Sequence, residues 1–310
     1  MNNSIKGYLL AAIAAAAYGT NPAFAVPLYE EGMNPNSVLL FRYLLGIPLV
    51  GIMLKLRGIK LSLRKDEIFQ VGILGVLMAF SSLALFESYN YLNAGVASTL
   101  LFVYPILVAV LMVFIFHEPF RVSIIICLLL MTVGLMLLMK TEAGETISSY
   151  GVLLVLVSAV TYALYIIMVN VSKTVQKIPT TKLLFYVLLW GSMVFVVKSF
   201  IGTPLTMPEK SVEWLNLLAL ALIPTVVSLL CTTIAINLIG STPTAIFGSL
   251  EPVSAVILSY YVLHQTITGQ EIVGGVLIVL ATTIVIGGQT VDRLILSVRK
   301  MWPKSKHHSH

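Results

Sequence analysis

The stretch from Glu87 to Glu118 returns from Ile234 to Gln265, and a chain that carries one unit twice must fold as two copies of it. ESYNYLNAGVASTLLFVYPILVAVLMVFIFHE aligns with IAINLIGSTPTAIFGSLEPVSAVILSYYVLHQ at a constant offset of 147. Asn90 falls on Asn237, Tyr104 on Glu251, Pro105 on Pro252 and His117 on His264. A second match, at an offset of 144, lays Gly7 to Tyr18 (GYLLAAIAAAAY) on Gly151 to Tyr162 (GVLLVLVSAVTY), and Pro35 on Pro179. The first segment has the charge and alanines of a secretory signal. Its internal copy argues that it is a structural part of the chain.

Composition decides what solvent surrounds the two copies. Of the 310 residues, 58% are hydrophobic and 10% charged, with a mean hydropathy of +0.97. Soluble domains carry about 25% charged residues, so this chain cannot cover itself with polar surface and reads as an all-α polytopic membrane protein. Ten spans are expected, at about 7–26, 36–56, 67–92, 95–116, 121–139, 149–171, 180–200, 213–238, 242–263 and 269–288. Each is near the ~20 residues that a helix needs to cross hydrocarbon. The division is 1–140 for the first five-helix repeat, 141–290 for the second, and 291–310 for a basic tail. Five is an odd number, so the second repeat enters from the opposite face and the two are inverted. Cys127 and Cys231 lie in apolar runs and read as packing residues, with no disulfide framework and no zinc site. The histidines of the tail read as solvated.

Basic residues set the expected orientation. With both ends inside, fifteen lysines and arginines fall on the inner side and three (Lys140, Lys198, Lys210) on the outer, while Arg42 lies within a span. That bias places both termini in the cytoplasm of a cell (plasma or inner) membrane. The net charge of +6 thus speaks to orientation and gives no support to nucleic-acid binding.

Two proline-broken helices at corresponding places of inverted halves point to a transporter site. Pro105 releases the carbonyl of Leu101, and Pro252 that of Gly248. At mid-membrane such carbonyls face protein, water or a ligand, the plain alternative being a packing kink. Arg42, Glu87 and Glu251 are ionisable residues inside spans, and each needs a partner or a cavity. Glu251 is deepest, roughly 14 Å along its helix. It could hold the amine of an amino-acid-like substrate or carry an exchanged proton. Arg42 and Glu87 lie at matching depth, so an ion pair on the outer side of the cavity is expected. Tyr18 with Asn21, and Tyr162 with Tyr165, are spaced i, i+3 and share helix faces. They are expected to line a central cavity or to pack as aromatics. Asn90 and Asn237 end corresponding helices and read as substrate contact and structural or gating residue respectively, or as simple caps. Arg42, Pro105 and Pro252 are likewise expected to be structural or gating. Small residues (Gly95, Ala97, Ser98; Thr242, Thr244, Ala245) open the fourth and ninth spans and suit close packing.

The runs AGVASTLLFVYPILVAVLMVFIFHEPF and STPTAIFGSLEPVSAVILSYYVLHQTIT resemble the EamA-type transporters of the drug/metabolite transporter superfamily over nearly the whole chain. His117-Glu118-Pro119 and Glu251-Pro252 carry the family's pattern. Gln265 departs from it where the second copy usually ends in glutamate, and Tyr104 replaces an acid sometimes seen before that proline. The resemblance implies a ten-helix inverted repeat and a secondary transporter that exports or exchanges small metabolites, often amino acids or related compounds. Its cavity would be lined by the first, third, fourth, sixth, eighth and ninth spans. The expected partners are a small-molecule substrate, the lipid bilayer and a coupling ion such as the proton, with no cofactor. Nothing resembles a nucleotide-binding loop, a catalytic elbow or a metal cluster, which disfavours direct ATP drive and a membrane enzyme. A passive pore is the other alternative, though rings of like side chains are lacking. The charge split predicts that a reporter fused after His310 acts as cytoplasmic and one inserted near Glu145 as external; the reverse pattern would invert the assignment.

Overall fold

A computed structural model describes residues 3–92, 94–119, 121–138, 148–201, 204–263 and 268–286. Among them every regular element is helical. Hydrocarbon offers no partner to a free N–H or C=O, so each crossing segment satisfies its own backbone. The first half holds α1 (Asn3–Tyr18), α2 (Asn21–Glu30), α3 (Pro35–Leu56), α4 (Lys65–Ser88), α5 (Ala94–Leu101), α6 (Tyr104–Phe114) and α7 (Val122–Leu138). The second holds α8 (Ser149–Val171), the short α9 (Lys173–Gln176), α10 (Thr180–Ile201), α11 (Ser211–Leu220), a π-helical turn (Ala221–Val227), α12 (Ser228–Ile239), α13 (Ser241–Gly248), α14 (Leu250–Leu263) and α15 (Gly269–Ile286). Among the described residues seven helical stretches are long and apolar enough to cross a membrane, and Thr99–Phe114 and Val122–Leu138 are shorter apolar helices. The basic tail and the segment around Lys140 lie outside the described residues, as does Gln265.

The breaks fall where the prolines put them. α5 stops at Leu101 and α6 starts at Tyr104 with Pro105 in its first turn. In the second half α13 stops at Gly248, and α14 starts at Leu250. Ser249 then donates both its N–H (3.1 Å) and its hydroxyl (2.7 Å) to the Ile246 carbonyl. The first span is interrupted as well, between Tyr18 and Asn21, ahead of Pro22.

Packing follows a two-fold exchange between halves. The first span packs against the third span of the other half, in the pairs α1 on α12 and α4 on α8. α3 packs on α10, and α7 on α15, each against its own counterpart. The detail repeats. A Cβ on Gly7 would strike Ile239 and Leu238, and one on Gly151 would strike Leu92 and Tyr91. Each pair of targets sits 147 residues from the other. The Ser158 hydroxyl donates to the Ser81 carbonyl at 2.8 Å, and the Ser228 hydroxyl to the Ala14 carbonyl at 2.9 Å, the same bond made from opposite partners. Side-chain contacts sort the described loops into two sets. Lys210 meets Glu31, and Asn34 donates to the Pro204 carbonyl, on one face. On the other, Lys182 meets the Ser62 carbonyl, Ser172 meets Gln70, and Asn170 donates to Ser241.

The third spans differ by one residue. In each half a glutamate accepts from the backbone N–H just before the helix: Glu67 from Arg64 at 2.9 Å, Glu213 from Lys210 at 3.4 Å. Those caps are 146 residues apart, whereas Ser81 and Ser228 are 147 apart. The extra residue is absorbed in the π-helical turn, which contains Pro224. A π turn is the usual way for a helix to take in a single residue without losing its direction, and it is common at functional places.

α7 and α15 meet through glycines. A Cβ on Gly134 would lie 2.7 Å from the Gly274 carbonyl oxygen, and one on Gly274 2.6 Å from that of Gly134. Small residues of this kind let membrane helices approach backbone to backbone. We expect Gly134→Ala or Gly274→Ala to destabilise the protein by about 1–3 kcal/mol, as overpacking does. Gly269→Ala, where a Cβ meets nothing within 4 Å, serves as control. Thermal unfolding in detergent checks this, and equal midpoints for all three would contradict it.

Candidate functional site

The helix breaks meet across the pseudo-two-fold. Tyr104 opens α6 and Glu251 lies in the first turn of α14, so two symmetry mates face one small cavity. Tyr18 and Tyr162, a second pair of mates, line it too, with Ser228, Thr232 and Thr244 supplying hydroxyls and alanines of α1 the apolar wall. The cavity holds about 30 Å³, room for a water or two. Small-molecule sites run to roughly 300–1,000 Å³, so the cavity as it stands is too small for a metabolite.

Tyr104 is the plug. It is buried, its hydroxyl donates to the Ala245 carbonyl at 3.2 Å, and its ring stands edge-on to Tyr162 with centroids 4.8 Å apart. Tyr162 in turn stacks on Tyr165, with centroids 6.2 Å apart. The Tyr104 hydroxyl occupies the space beside Gly248. A Cβ there would lie 1.8 Å from it, so glycine at the second break is what admits the tyrosine of the first.

Arg42 lies above this cavity, toward the end of α3 that holds Pro35. It is 2% exposed. Its Nη1 donates to Asn21 Oδ1 at 3.0 Å, its Nη2 to the Pro224 carbonyl at 3.2 Å, and its Nε to the Thr225 hydroxyl. Thr225 donates onward to the Leu220 carbonyl at 2.7 Å, the group that Pro224, having no N–H, leaves without its helical partner. The guanidinium lies 5.9 Å from the centroid of Tyr18 and 5.8 Å from that of Phe86.

The expected Arg42–Glu87 pair does not form. Glu87 is bound by Lys198 of α10 and accepts from the Asn90 amide at 3.3 Å. Both partners of this bridge are 28% exposed in their side chains, at the rim and away from the cavity. Depth is one coordinate only; Arg42 turns toward α2 and the π turn, Glu87 toward α10. Asn90 is likewise an exposed turn residue, and Asn237 is exposed in the last turn of α12, so neither reaches the cavity. Tyr165 backs Tyr162, and Asn21 holds Arg42, each one layer behind the lining. α1, α6, α8, α12, α13 and α14 supply the lining residues, and α4, which falls on the expected third span, supplies none. Thr225, Ser228 and Thr232 were not anticipated, and Gly248 only through the carbonyl that Pro252 releases. The one-residue change of offset between the capping glutamates and the serines was the available signal for the π turn.

The sequence profile of the EamA-like transporter family matches residues 5–140 and again 149–287. The chain belongs to the EamA-like transporter family, part of the drug/metabolite transporter superfamily. It is 25% identical over 252 residues to the uncharacterized transporter YdfC of Bacillus subtilis (strain 168), covering 80% of this chain and 81% of that one. It is 28% identical over 268 residues to the uncharacterized transporter YvbV of the same organism, covering 84% and 86%. A solved protein structure that is 16% identical superimposes with a TM-score of 0.78 over 93% of this chain and 98% of the other, a likeness of fold. This EamA-like protein is a multi-pass membrane transporter. No group of three or more metal-ligating side chains occurs among the described residues.

The contact of Tyr104 with Gly248 can be tested as a pair. Gly248→Ala should destabilise by about 1–3 kcal/mol, and adding Tyr104→Phe should recover part of that loss by removing the clashing oxygen. Thermal midpoints of the two single variants and the double variant measure the coupling. Simple additivity would show that the two residues do not touch.

Proposed function

We propose that the chain is a secondary transporter that moves small metabolites, amino acids or related compounds, by alternating access, as an exporter or exchanger. Ten crossing segments in two inverted five-helix repeats, 1–140 and 141–290, would rock about the small cavity, with both termini cytoplasmic. The observation that carries this reading is the convergence of both helix breaks, Tyr104 and Glu251, on one cavity lined from both halves. Inverted repeats with discontinuous helices place substrate and coupling-ion sites at such a point. A pore is the less favoured reading, since the cavity where the breaks meet holds only about 30 Å³.

Glu251 is the centre of the mechanism. Among the described residues it has no salt-bridge partner, and it faces the cavity. An intramembrane carboxyl so placed either holds the cationic group of a substrate or carries a proton exchanged against it. Glu251→Gln keeps shape and hydrogen bonding but cannot ionise. We expect it to insert and fold normally and to lose transport or its pH dependence, read by counterflow in liposomes. An unchanged rate and pH profile would remove Glu251 from the mechanism.

A further inference from the structure

Among the described residues Arg42 is a buried cation without a carboxylate partner. Its described partners, an amide, a hydroxyl and a carbonyl, are all neutral. They use three of the guanidinium's five N–H donors. Neutral acceptors satisfy hydrogen bonds but leave the charge, and a charge taken out of water without an opposite one is expensive. The other half offers no counterpart. The residue at the corresponding position is Tyr186, which donates to the Leu61 carbonyl at the opposite face. The π turn is specific to this half as well. The inserted residue therefore goes with the one place where an arginine is held beside the pathway.

Glu251 is the complementary case, an acid facing the cavity. Among the described residues it forms no ion pair with Arg42. Tyr18 links them, since it lines the cavity with Glu251 and carries the guanidinium over its ring. A guanidinium at the ring of Tyr18 and a carboxyl in the cavity that Tyr18 lines match a ligand with two opposite charges of its own.

We infer that Arg42 is a specificity-determining residue that receives the anionic group of the cargo, in exchange for its neutral acceptors, while Glu251 faces the cationic group. This rests on the reading that the central cavity binds the cargo. The planar fork of arginine suits a carboxylate, and opening of the small cavity past Tyr18 would bring the guanidinium into reach. Asn21 and the π turn then act as positioning groups that hold the fork ready in the empty protein. A cargo stripped of its carboxylate loses this contact and keeps the other.

The test uses the whole chain in liposomes. The probes are the twenty standard amino acids in counterflow and, for each one exchanged, its decarboxylated amine as competitor. Wild type should prefer the amino acid by about tenfold or more, the scale of a charge-assisted hydrogen bond. Arg42→Gln should narrow that preference to about threefold or less. If Arg42→Gln does not fold, Arg42→Lys takes its place, since it keeps the charge and removes the planar fork; a narrowed preference supports the assignment and an unchanged one overturns it. An amine that competes as well as its amino acid in wild type overturns it, as does a folded Arg42→Gln protein with the preference intact. Should wild type exchange no amino acid at all, the reading of the cargo fails and this inference with it.

Discussion

Hydrocarbon leaves no backbone group unanswered, and that constraint organises the molecule. A helix through lipid must be continuous or must break where protein can answer the freed groups. The helices at Pro105 and Pro252 both break, and the two breaks face each other. Tyr104 then bonds the Ala245 carbonyl, and Ser249 bonds that of Ile246. The second break is thus answered partly from the other half, by Tyr104, and partly by its own Ser249.

Departures from symmetry matter as much as symmetry. The paired serines, the glycines under the third-span ends and the exchange of first and third spans are the same in both halves. Against that background stand Tyr104 opposite Glu251, Asn21 opposite Tyr165, and Arg42 opposite Tyr186. Each departure puts a charged or strongly polar group in one half only. The frame can therefore be two-fold while the chemistry within it is polar along the transport axis.

Much of this was legible in the sequence. Prolines at the same place in each repeat marked the two breaks, although a proline alone does not break a span, since Pro48 lies inside the continuous α3. Tyr18, Tyr104, Tyr162 and Glu251 meet as the repeat implied, because symmetry fixes which faces converge. Pairing was less legible. Arg42 and Glu87 share a depth, but rotation about the helix axis decides which neighbour each meets, and apolar spans give weak signals of rotation. Asn90 and Asn237 align in sequence, yet one sits in a turn and the other within a helix that runs on to Ile239. The π turn was visible only as a change of one in the offset between aligned landmarks.

Alternation about the central cavity is most directly tested by access. A single cysteine at Tyr162, in a chain whose Cys127 and Cys231 have been replaced, can be offered a membrane-impermeant thiol reagent from either side of a sealed vesicle. The account predicts labelling from both sides, with binding of cargo or closure of one face shifting label from one side to the other. Labelling from one side under every condition, or simultaneous passage of the reagent through the protein, would contradict it.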